Sequence, residues 1–372
     1  MFALADEQLQ VRDSLRRLLA TDYSFERRRA IAADPRGWST DTWRQLADLG
    51  VLALTLPPAH GGLGGGAMDT FVVMEEAGRA LLLEPLLPTV VMGAGLVARA
   101  GDAAQRAAIL PAVATGGRQL ALAHYEPGAR YALEAIACEA RREGESWILR
   151  GAKAHVLNGA SADLLIVSAR TARGLSLFLV DRDAAGLTVQ DYPLYDARRA
   201  ADLRLDDVRV GADALLGEEG AAGPHIAATI DAAIAALCAD AVGAMGALLE
   251  GTGQYLKTRK QFGVPIGSFQ VLQHRMADML IESEAARSMA LLAAQCVAQA
   301  TAAQRSRTVS AAKLRVGEAA RFVGQQAVQL HGGIGVTDEL AVSHYFRRLT
   351  LFEMAFGDTD HHLEAFGRQL FD

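Results

Sequence analysis

The sequence predicts a mostly helical α+β protein in which a β domain lies between two helical domains. Apolar residues recur every three or four positions over residues 6–118 and again after Pro224, as they do on helices. Between residues 119 and 220 the apolar runs are short and are separated by turn residues, as in a sheet. We expect an N-terminal helical domain over 1–118, a middle antiparallel β domain over 119–222 and a C-terminal four-helix-bundle domain over 223–372.

The N-terminal helices are indicated by apolar residues at helical spacing. Leu15 and Leu19 would share one face of a first helix. Trp43 and Leu46 repeat the spacing on a later one. The glycine-rich segment 57–66 interrupts this pattern and predicts a loop.

The middle domain is indicated by four apolar runs of strand length. No helical pattern of about ten residues separates these runs from one another, although a parallel crossover needs such a helix. We therefore expect antiparallel pairing. The runs lie at 147–149, 164–167, 175–180 and 203–205.

The C-terminal helices are long and strongly apolar. Ile226, Ile230 and Ile234 continue one apolar stripe along the first of them. The later segment 289–294 is apolar on every side, so a neighbouring helix has to cover it, either within the subunit or in an oligomer.

The charge balance argues against nucleic acid and membrane partners. The formal net charge is −6 and the pI is about 5.9, so the chain has no surplus of basic residues for phosphates or an anionic membrane. Residues 1–7 lack the basic segment of a signal peptide, and no run of eighteen uncharged apolar residues occurs. We expect a cytoplasmic protein.

No metal site is expected. The three cysteines are far apart in the sequence and contain no Cys-x-x-Cys pair. His361 and His362 are adjacent, so on a helix they would point about 100° apart and could not both bind one metal ion. We expect these two histidines on a solvent-exposed face.

Two segments have the chemistry of a dinucleotide site. Arg259 offers a planar charge for phosphate, Phe262 an aromatic face for a base and Gln270 an amide; a surface Arg and a buried Phe at a helix junction are the alternative. The glycines of segment 329–335 either let backbone N–H groups approach a pyrophosphate or simply end a helix. Because a helix precedes them, they are not a Rossmann fingerprint.

Together these segments resemble the acyl-CoA dehydrogenase family over essentially the whole chain. The segments that carry the resemblance are 43–50, 57–65, Glu126-Pro127, 259–263 with Phe269-Gln270, and 329–335. It implies FAD as the cofactor, an acyl-CoA substrate (such as a dicarboxylyl-CoA, for example pimeloyl-CoA), a homo- or hetero-tetramer, and an electron-transferring flavoprotein as acceptor. It also implies cofactor-binding roles for Arg259, Gln261, Phe262, Phe269, Gln270, Gln329, Gly332, Gly333, His155 and Leu157.

The resemblance breaks at the residue that removes the α-proton of the thioester. The family's usual glutamate position falls on Phe356, and the alternative position on an earlier helix falls on Ala233, so neither residue can act as a base. Asp358 stands where the family has a threonine near the FAD pyrophosphate. Asp231 matches an acidic position that contacts the coenzyme A portion of the substrate. These two aspartates are the candidate substitutes for the base.

The flavin-facing positions implied by the resemblance also differ. His155 and Leu157 stand where the family has Trp and Thr, and Tyr125 replaces a threonine, so two hydroxyl groups that would hydrogen-bond the flavin are lost or moved. The groups around Arg259 and Gln329, which in the family reach a neighbouring subunit's flavin, are kept.

The resemblance and its departures leave three hypotheses. We expect a subunit that pairs with a related chain and completes that chain's FAD site. The first alternative is a self-sufficient homo-oligomer that uses Asp358 or Asp231 as its base. The second is a non-catalytic scaffold that binds a coenzyme A thioester without flavin.

Overall fold

The computed structural model describes residues 4–368, apart from the side chain of Gln299. These residues form two compact units, each of which gathers separate stretches of the chain. The helical unit contains residues 4–29, 67–82 and 234–368, and the β unit contains residues 30–66 and 83–233.

Side-chain caps fix the starts of several helices. The Ser39 hydroxyl accepts the Thr42 N–H at 3.2 Å at the start of the helix Thr40–Asp48, and Asp102 with Gln105 forms a capping box at the start of the helix Ala103–Ala114. The helices of the described chain are α1 (Asp6–Asp22), α2 (Phe25–Ala33), α3 (Thr40–Asp48), α4 (Ala67–Arg79), α5 (Gly95–Ala100, preceded by a π-helical segment Leu87–Ala94), α6 (Ala103–Ala114), α7 (Ala222–Thr258), α8 (Gln270–Gln299), α9 (Ala302–His331), α10 (Ala341–Met354) and α11 (Thr359–Arg368).

In the helical unit, α4 and α7 cross at a close contact that two glycines permit. A Cβ atom on Gly78 would lie 1.8 Å from the carbonyl oxygen of Asp240, and one on Gly243 would lie 1.8 Å from that of Glu75. No side chain fits at such distances, so the two backbones approach only because both positions are glycine. The crossing holds α4 in the core, where Phe71 is 1% exposed.

A buried ion pair lies beside this crossing. Arg348 on α10 places Nη1 2.9 Å from Oδ2 of Asp240 on α7, and its Nη2 donates to the carbonyl oxygen of Leu82 at 2.8 Å. Both charged side chains are almost fully buried. Each compensates the charge of the other, which is the condition under which either can be buried.

The β unit contains one mixed sheet in which most neighbouring strands are antiparallel. Its order is β6-β7-β3-β2-β4-β5-β8, and β1 pairs with β4 in parallel. Strand β2 also pairs with β4 in parallel, through Glu139 and Arg170. The prediction of an antiparallel sheet is therefore wrong for these two pairs, because the β2–β3 hairpin, and not a helix, connects β1 to β4. The strands are β1 (Leu120–Ala123), β2 (Glu139–Glu143), β3 (Ser146–Leu157), β4 (Leu164–Thr171), β5 (Gly174–Asp181), β6 (Leu187–Pro193), β7 (Arg199–Gly211) and β8 (Leu215–Leu216).

The predicted fold class is confirmed: helices, a largely antiparallel sheet and helices follow one another along the chain. The four predicted strand runs lie inside β3, β4, β5 and β7. The boundaries at 118/119 and 222/223 stay predictions. One described helix, α7, is long and apolar enough to cross a membrane, but 78% of its apolar window is buried in the structure, as in the core helix of a globular protein.

Substitutions at the α4–α7 crossing test how tightly the two backbones pack. Gly243→Ala should lower the free energy of unfolding by about 1–3 kcal/mol, because the added methyl group displaces backbone rather than a flexible side chain. Gly251→Ala, on the same helix with nothing within 4 Å of its Cβ, should instead raise it by up to about 1 kcal/mol. Urea unfolding followed by circular dichroism measures both, and equal midpoints for the two variants would contradict a tight crossing.

Candidate active site

The segment after α7 forms an exposed hairpin on the helical unit. Strands β9 (Lys260–Gln261) and β10 (Val264–Pro265) pair antiparallel, and the turn residue Phe262 has a left-handed φ of 53°. Phe262 is 92% exposed, so the alternative of a buried Phe at a helix junction is wrong. The other predicted cofactor residues of this segment are also exposed: Arg259, Gln261, Phe269 and Gln270.

The Gly-Gly-x-Gly segment is joined to the base of this hairpin by an aromatic stack. The ring of Tyr255, one helical turn before Arg259, lies 4.4 Å from the ring of His331, and its hydroxyl donates to the His331 carbonyl oxygen at 3.2 Å. The structure thus brings together two predicted segments whose stacked residues are 76 positions apart. Beside His331 the side chain of Gln329 and the backbone of Gly332 and Gly333 are exposed.

Gly332 and Gly333 are glycine for different reasons. Gly332 ends α9 with φ 66° and ψ −147°, a conformation that only glycine adopts readily. A Cβ on Gly333 would meet nothing within 4 Å, so no contact in the described chain requires glycine there. An unobstructed backbone is what the close approach of a phosphate needs.

The turn between α10 and α11 contains the position to which the sequence assigns the family's base. Phe356 is half-buried and has a left-handed φ of 57°, and Gly357 follows with φ 120°. A Cβ on Gly357 would lie 2.5 Å from Nε2 of His362, so this position has to be glycine. The Phe356 side chain has no group that can accept a proton.

A buried lysine on α9 holds this turn in place. Nζ of Lys313 donates to the carbonyl oxygens of Glu353 at 3.1 Å and of Gly357 at 2.7 Å, and lies 4.5 Å from the centroid of the Phe352 ring. The side chain is 1% exposed, and burial lowers the pKa of Lys313 to about 8.

His362 holds the same turn from the other side. Its Nδ1 lies 3.2 Å from Oγ of Ser310, and its Nε2 lies 3.2 Å from the carbonyl oxygen of Phe356. Burial lowers the pKa of His362 to about 3, so the ring is neutral, and Nε2 carries the proton because a carbonyl oxygen only accepts. The expectation that both histidines are exposed is therefore wrong for His362, which is buried.

Two carboxylates satisfy the first amides of α11. Oδ1 of Asp358 accepts the His361 N–H at 2.8 Å, and Oε1 of Glu353 accepts the Thr359 N–H at 3.1 Å. An ionised carboxylate at a helix N-terminus is stabilised by these amides and by the helix dipole. Asp358 is thus the N-cap of α11.

In the β unit a second buried lysine holds the Glu126-Pro127 turn. Nζ of Lys153 lies 2.6 Å from Oε1 of Glu126 and donates to Oγ of Ser168 at 3.0 Å. Burial raises the pKa of Glu126, but hydrogen bonds from Lys153 and from the amides of Ala137 and Cys138 outweigh it and leave this pKa below its ordinary value. Glu126 is therefore an ionised structural group.

The remaining predicted site residues also lie in the β unit. His155 and Leu157 are near the end of β3, where His155 is exposed and Leu157 is half-buried. Leu157 has no polar side-chain atom, so it cannot supply the hydroxyl that the family uses against the flavin. Asp231 is half-buried on the first part of α7.

The chain matches the acyl-CoA dehydrogenase N-terminal, middle and C-terminal domains over residues 5–117, 121–208 and 225–371. It belongs to the acyl-CoA dehydrogenase family. It is 34% identical over 317 residues to acyl-CoA dehydrogenase fadE12 of Mycobacterium bovis, covering 82% of this chain and 81% of that protein.

Solved structures of acyl-CoA dehydrogenases are similar over nearly their whole length. The Tcur3481-Tcur3483 steroid ACAD superimposes with a TM-score of 0.89 at 33% identity and 98% coverage of both chains. The ChsE4-ChsE5 complex from Mycobacterium tuberculosis gives a TM-score of 0.92 at 27% identity, with 100% of this chain and 99% of that chain covered.

Acyl-CoA dehydrogenases are FAD-dependent oxidoreductases that act on the CH–CH group of an acyl-CoA. The exposed groups of the helical unit fit part of this cofactor, because Arg259 can bind a phosphate, Gln270 offers an amide and the backbone at Gly333 is open. Leu157 fits the cofactor less well, because its side chain can neither donate nor accept a hydrogen bond.

Sequence reasoning missed the buried groups that hold the α10–α11 turn. Lys313 follows Val309 by four residues and precedes Val316 by three, so it interrupts an apolar stripe of α9. A lysine at a position where the helical period calls for an apolar residue was the available signal, since lysine is rarely buried without partners.

The burial of Lys313 predicts a pH-dependent stability. The folded protein releases the Lys313 proton near pH 8, whereas the unfolded chain keeps it to about pH 10.4. The unfolded state therefore binds more protons in this range, and the free energy of unfolding should rise with pH by up to about 1.4 kcal/mol per unit between pH 8 and 10. Denaturant unfolding of the wild type and of Lys313→Met over this range measures the difference; the same slope in both proteins would contradict it.

Proposed function

We propose that this chain is a subunit of an FAD-dependent acyl-CoA dehydrogenase that lacks the usual base and completes the FAD site of a related partner chain. The observation that carries the proposal is Phe356, a hydrocarbon side chain in the turn to which the resemblance assigns the glutamate. The reaction needs a group that takes the α-proton of the thioester, and this residue cannot take it.

The exposed hairpin supports a role across a subunit interface. An aromatic ring that is 92% exposed at the tip of an ordered hairpin gains burial only from a second molecule. Arg259 and Gln270 are exposed beside Phe262, and none of the three contributes to the core of its own unit. The side chains that the family uses to contact a neighbouring subunit are therefore exposed and available for such a contact.

The apolar surface of α8 supports an oligomer. Val271, Leu280 and Ile281 are exposed on this helix, and Ile281 is 63% exposed. Ile334 and Val336 extend the exposed apolar residues to the segment after α9. Apolar residues in such number on one unit are typical of an interface with another protein. We propose a tetramer of related chains, of which the ChsE4-ChsE5 complex is a similar two-chain example.

In the mixed assembly this chain would bind and orient rather than react. FAD, when bound, accepts the β-hydrogen of the acyl group as a hydride. Arg259 would neutralise a cofactor phosphate, Phe262 would pack on a ring, and the backbone at Gly332 and Gly333 would receive the pyrophosphate. Asp231 is proposed to contact the coenzyme A portion of a thioester.

The acyl group and the cellular setting follow from resemblance. Segments 231–238, 255–270, 321–335 and 356–363 resemble the small subunit of pimeloyl-CoA dehydrogenase, and this resemblance favours a dicarboxylyl-CoA. Similarity to a steroid ACAD points instead to a bulky acyl group. We propose that the protein works in the cytoplasm and passes electrons to an electron-transferring flavoprotein. Turnover of the mixed assembly with each thioester distinguishes the two substrates.

The self-sufficient homo-oligomer and the flavin-free scaffold are the competing hypotheses. The cap that Asp358 forms on α11 weighs against the first, because this carboxylate is already bonded to an amide of its own helix. Asp231 remains its other candidate base. The second is decided by flavin content alone, because Arg259 could bind the phosphates of coenzyme A as well as those of FAD.

The flavin content of the purified protein tests the proposed function. The chain alone should bind little FAD and should not oxidise acyl-CoA, whereas the assembly with its glutamate-bearing partner should do both. Arg259→Ala should weaken FAD binding by the assembly about tenfold, because a charge-assisted hydrogen bond to phosphate is lost. Leu63→Ala, an exposed apolar residue of the β unit, is the control. A full complement of reducible flavin on the lone chain would refute the proposal.

Two substitutions of Asp358 separate a helix cap from a catalytic base. Asp358→Ala should lower the free energy of unfolding by about 1 kcal/mol, whereas Asp358→Asn, which also caps well, should leave it nearly unchanged. Both variants should keep the turnover of the mixed assembly, because in the proposed function Asp358 is not the group that accepts the α-proton. The homo-oligomer hypothesis predicts a different result. The wild-type chain without a partner would oxidise acyl-CoA, and Asp358→Asn would abolish this turnover while keeping the stability.

A further inference from the structure

Strand β3 contains a bulge at His155. The register with β7 shifts between Lys153 and Val156, so two residues of β3 face the single residue Asp202. His155 takes a left-handed φ of 54°, and its amide N–H, which the bulge removes from the ladder, donates to Oδ1 of Asp202 at 3.1 Å. Bulges re-aim side chains, and left-handed non-glycine residues concentrate at functional positions.

Tyr192 on β6 completes a hydrogen-bonded relay with the same carboxylate. Its hydroxyl donates to Oδ1 of Asp202 at 2.8 Å and lies 3.1 Å from Nδ1 of His155. Burial, with the bond to Asp202, raises the pKa of Tyr192 to about 12, so the phenol keeps its proton at neutral pH. The Tyr192 hydroxyl has one proton to donate and two hydrogen-bonding neighbours, Asp202 and His155.

The direction of these bonds fixes the tautomer of His155. The Asp202 carboxylate only accepts, so the phenolic proton points to it. The Tyr192 oxygen is then free to accept, and the contact with His155 is satisfied when Nδ1 of the ring is the donor. Nε2 of the neutral ring therefore carries a lone pair. His155 is exposed, and none of the hydrogen bonds within residues 4–368 uses its Nε2.

We propose that Tyr192 and Asp202 are positioning residues that hold Nε2 of His155 as a hydrogen-bond acceptor for a ring N–H group of a bound ligand. A carboxylate that sets the tautomer of a histidine through its Nδ1 side is the arrangement that prepares Nε2 to accept. The relay stands on the geometry of the β unit alone. The identity of the ligand rests on the proposed function: a flavin, whose ring carries an imide N–H, is the cofactor of this family.

Nitrogen NMR on the lone chain tests the relay without any flavin. In the chain labelled with ¹⁵N-histidine, His155 should show a protonated Nδ1 and an unprotonated Nε2, with its signal assigned by its loss in His155→Gln. Tyr192→Phe should raise the fraction of His155 rings that carry the proton on Nε2, because the acceptor for the Nδ1 proton is removed. Tyr195→Phe, which removes an exposed phenol three residues away, should change nothing, and the exposed His274 is an internal reference. An unprotonated Nδ1 in the wild type would overturn the relay.

Riboflavin titration tests the ligand separately. The lone chain should bind riboflavin only weakly, at concentrations far above those that survive purification, so this binding is compatible with a low flavin content of the purified chain. Followed by quenching of flavin fluorescence, the affinity should fall about tenfold in His155→Leu and less in Tyr192→Phe, because the acceptor is lost in the first and only misaligned in the second. Equal affinity of wild type and His155→Leu would overturn the flavin assignment. That result would not decide the proposed function, which is tested separately by the FAD content of the mixed assembly.

Discussion

The buried ammonium of Lys313 is the constraint on which the candidate site of the helical unit depends. A cation in the core has to be compensated by acceptors, and here the acceptors are the carbonyl oxygens of Glu353 and Gly357. These two groups bracket the α10–α11 turn, so Lys313 holds the turn through its backbone and not through the side chain at position 356. His362, bonded to the Phe356 carbonyl oxygen, holds the backbone of the same turn from the other side.

Three aromatic residues at candidate positions share an unusual backbone conformation. Phe262, Phe356 and His155 have φ values of 53°, 57° and 54°, which cost a non-glycine residue free energy of about 1–3 kcal/mol each. Each is held differently: the first by a hairpin, the second by buried partners of the turn, and the third by a bulge whose amide bonds Asp202. These three, of eight left-handed non-glycine residues in the described chain, lie where the family resemblance assigns the cofactor and the base.

The candidate groups divide according to whether their own unit uses them. Lys153, Glu126 and Asp358 satisfy buried or helix-terminal polar groups, so their roles are structural. Within the described residues the Arg259 side chain makes no hydrogen bond, and Phe262 has an edge-on contact with Phe269 but is 92% exposed. Groups of the second kind are available to another molecule, and this availability is what the proposed role of the chain in a mixed assembly requires.

The sequence alone determined the order of helical and β regions, because the apolar period changes from three or four residues to two and back. It also determined the family and the absence of a carboxylate at Phe356, since both can be read from local residue identity. It did not predict the parallel pairing of β1 with β4, because strand partners are chosen by contacts between distant residues.

Tertiary structure decided which polar groups are satisfied. Asp358 caps a helix because its carboxylate accepts the backbone N–H of His361. His362 can be buried because both of its ring nitrogens find partners, Ser310 and the Phe356 carbonyl oxygen. His155 and Asp202 are 47 residues apart, yet a one-residue shift in strand register brings them together. A local pattern sets where an apolar face lies, but burial and the direction of a hydrogen bond depend on neighbours that only the folded chain supplies.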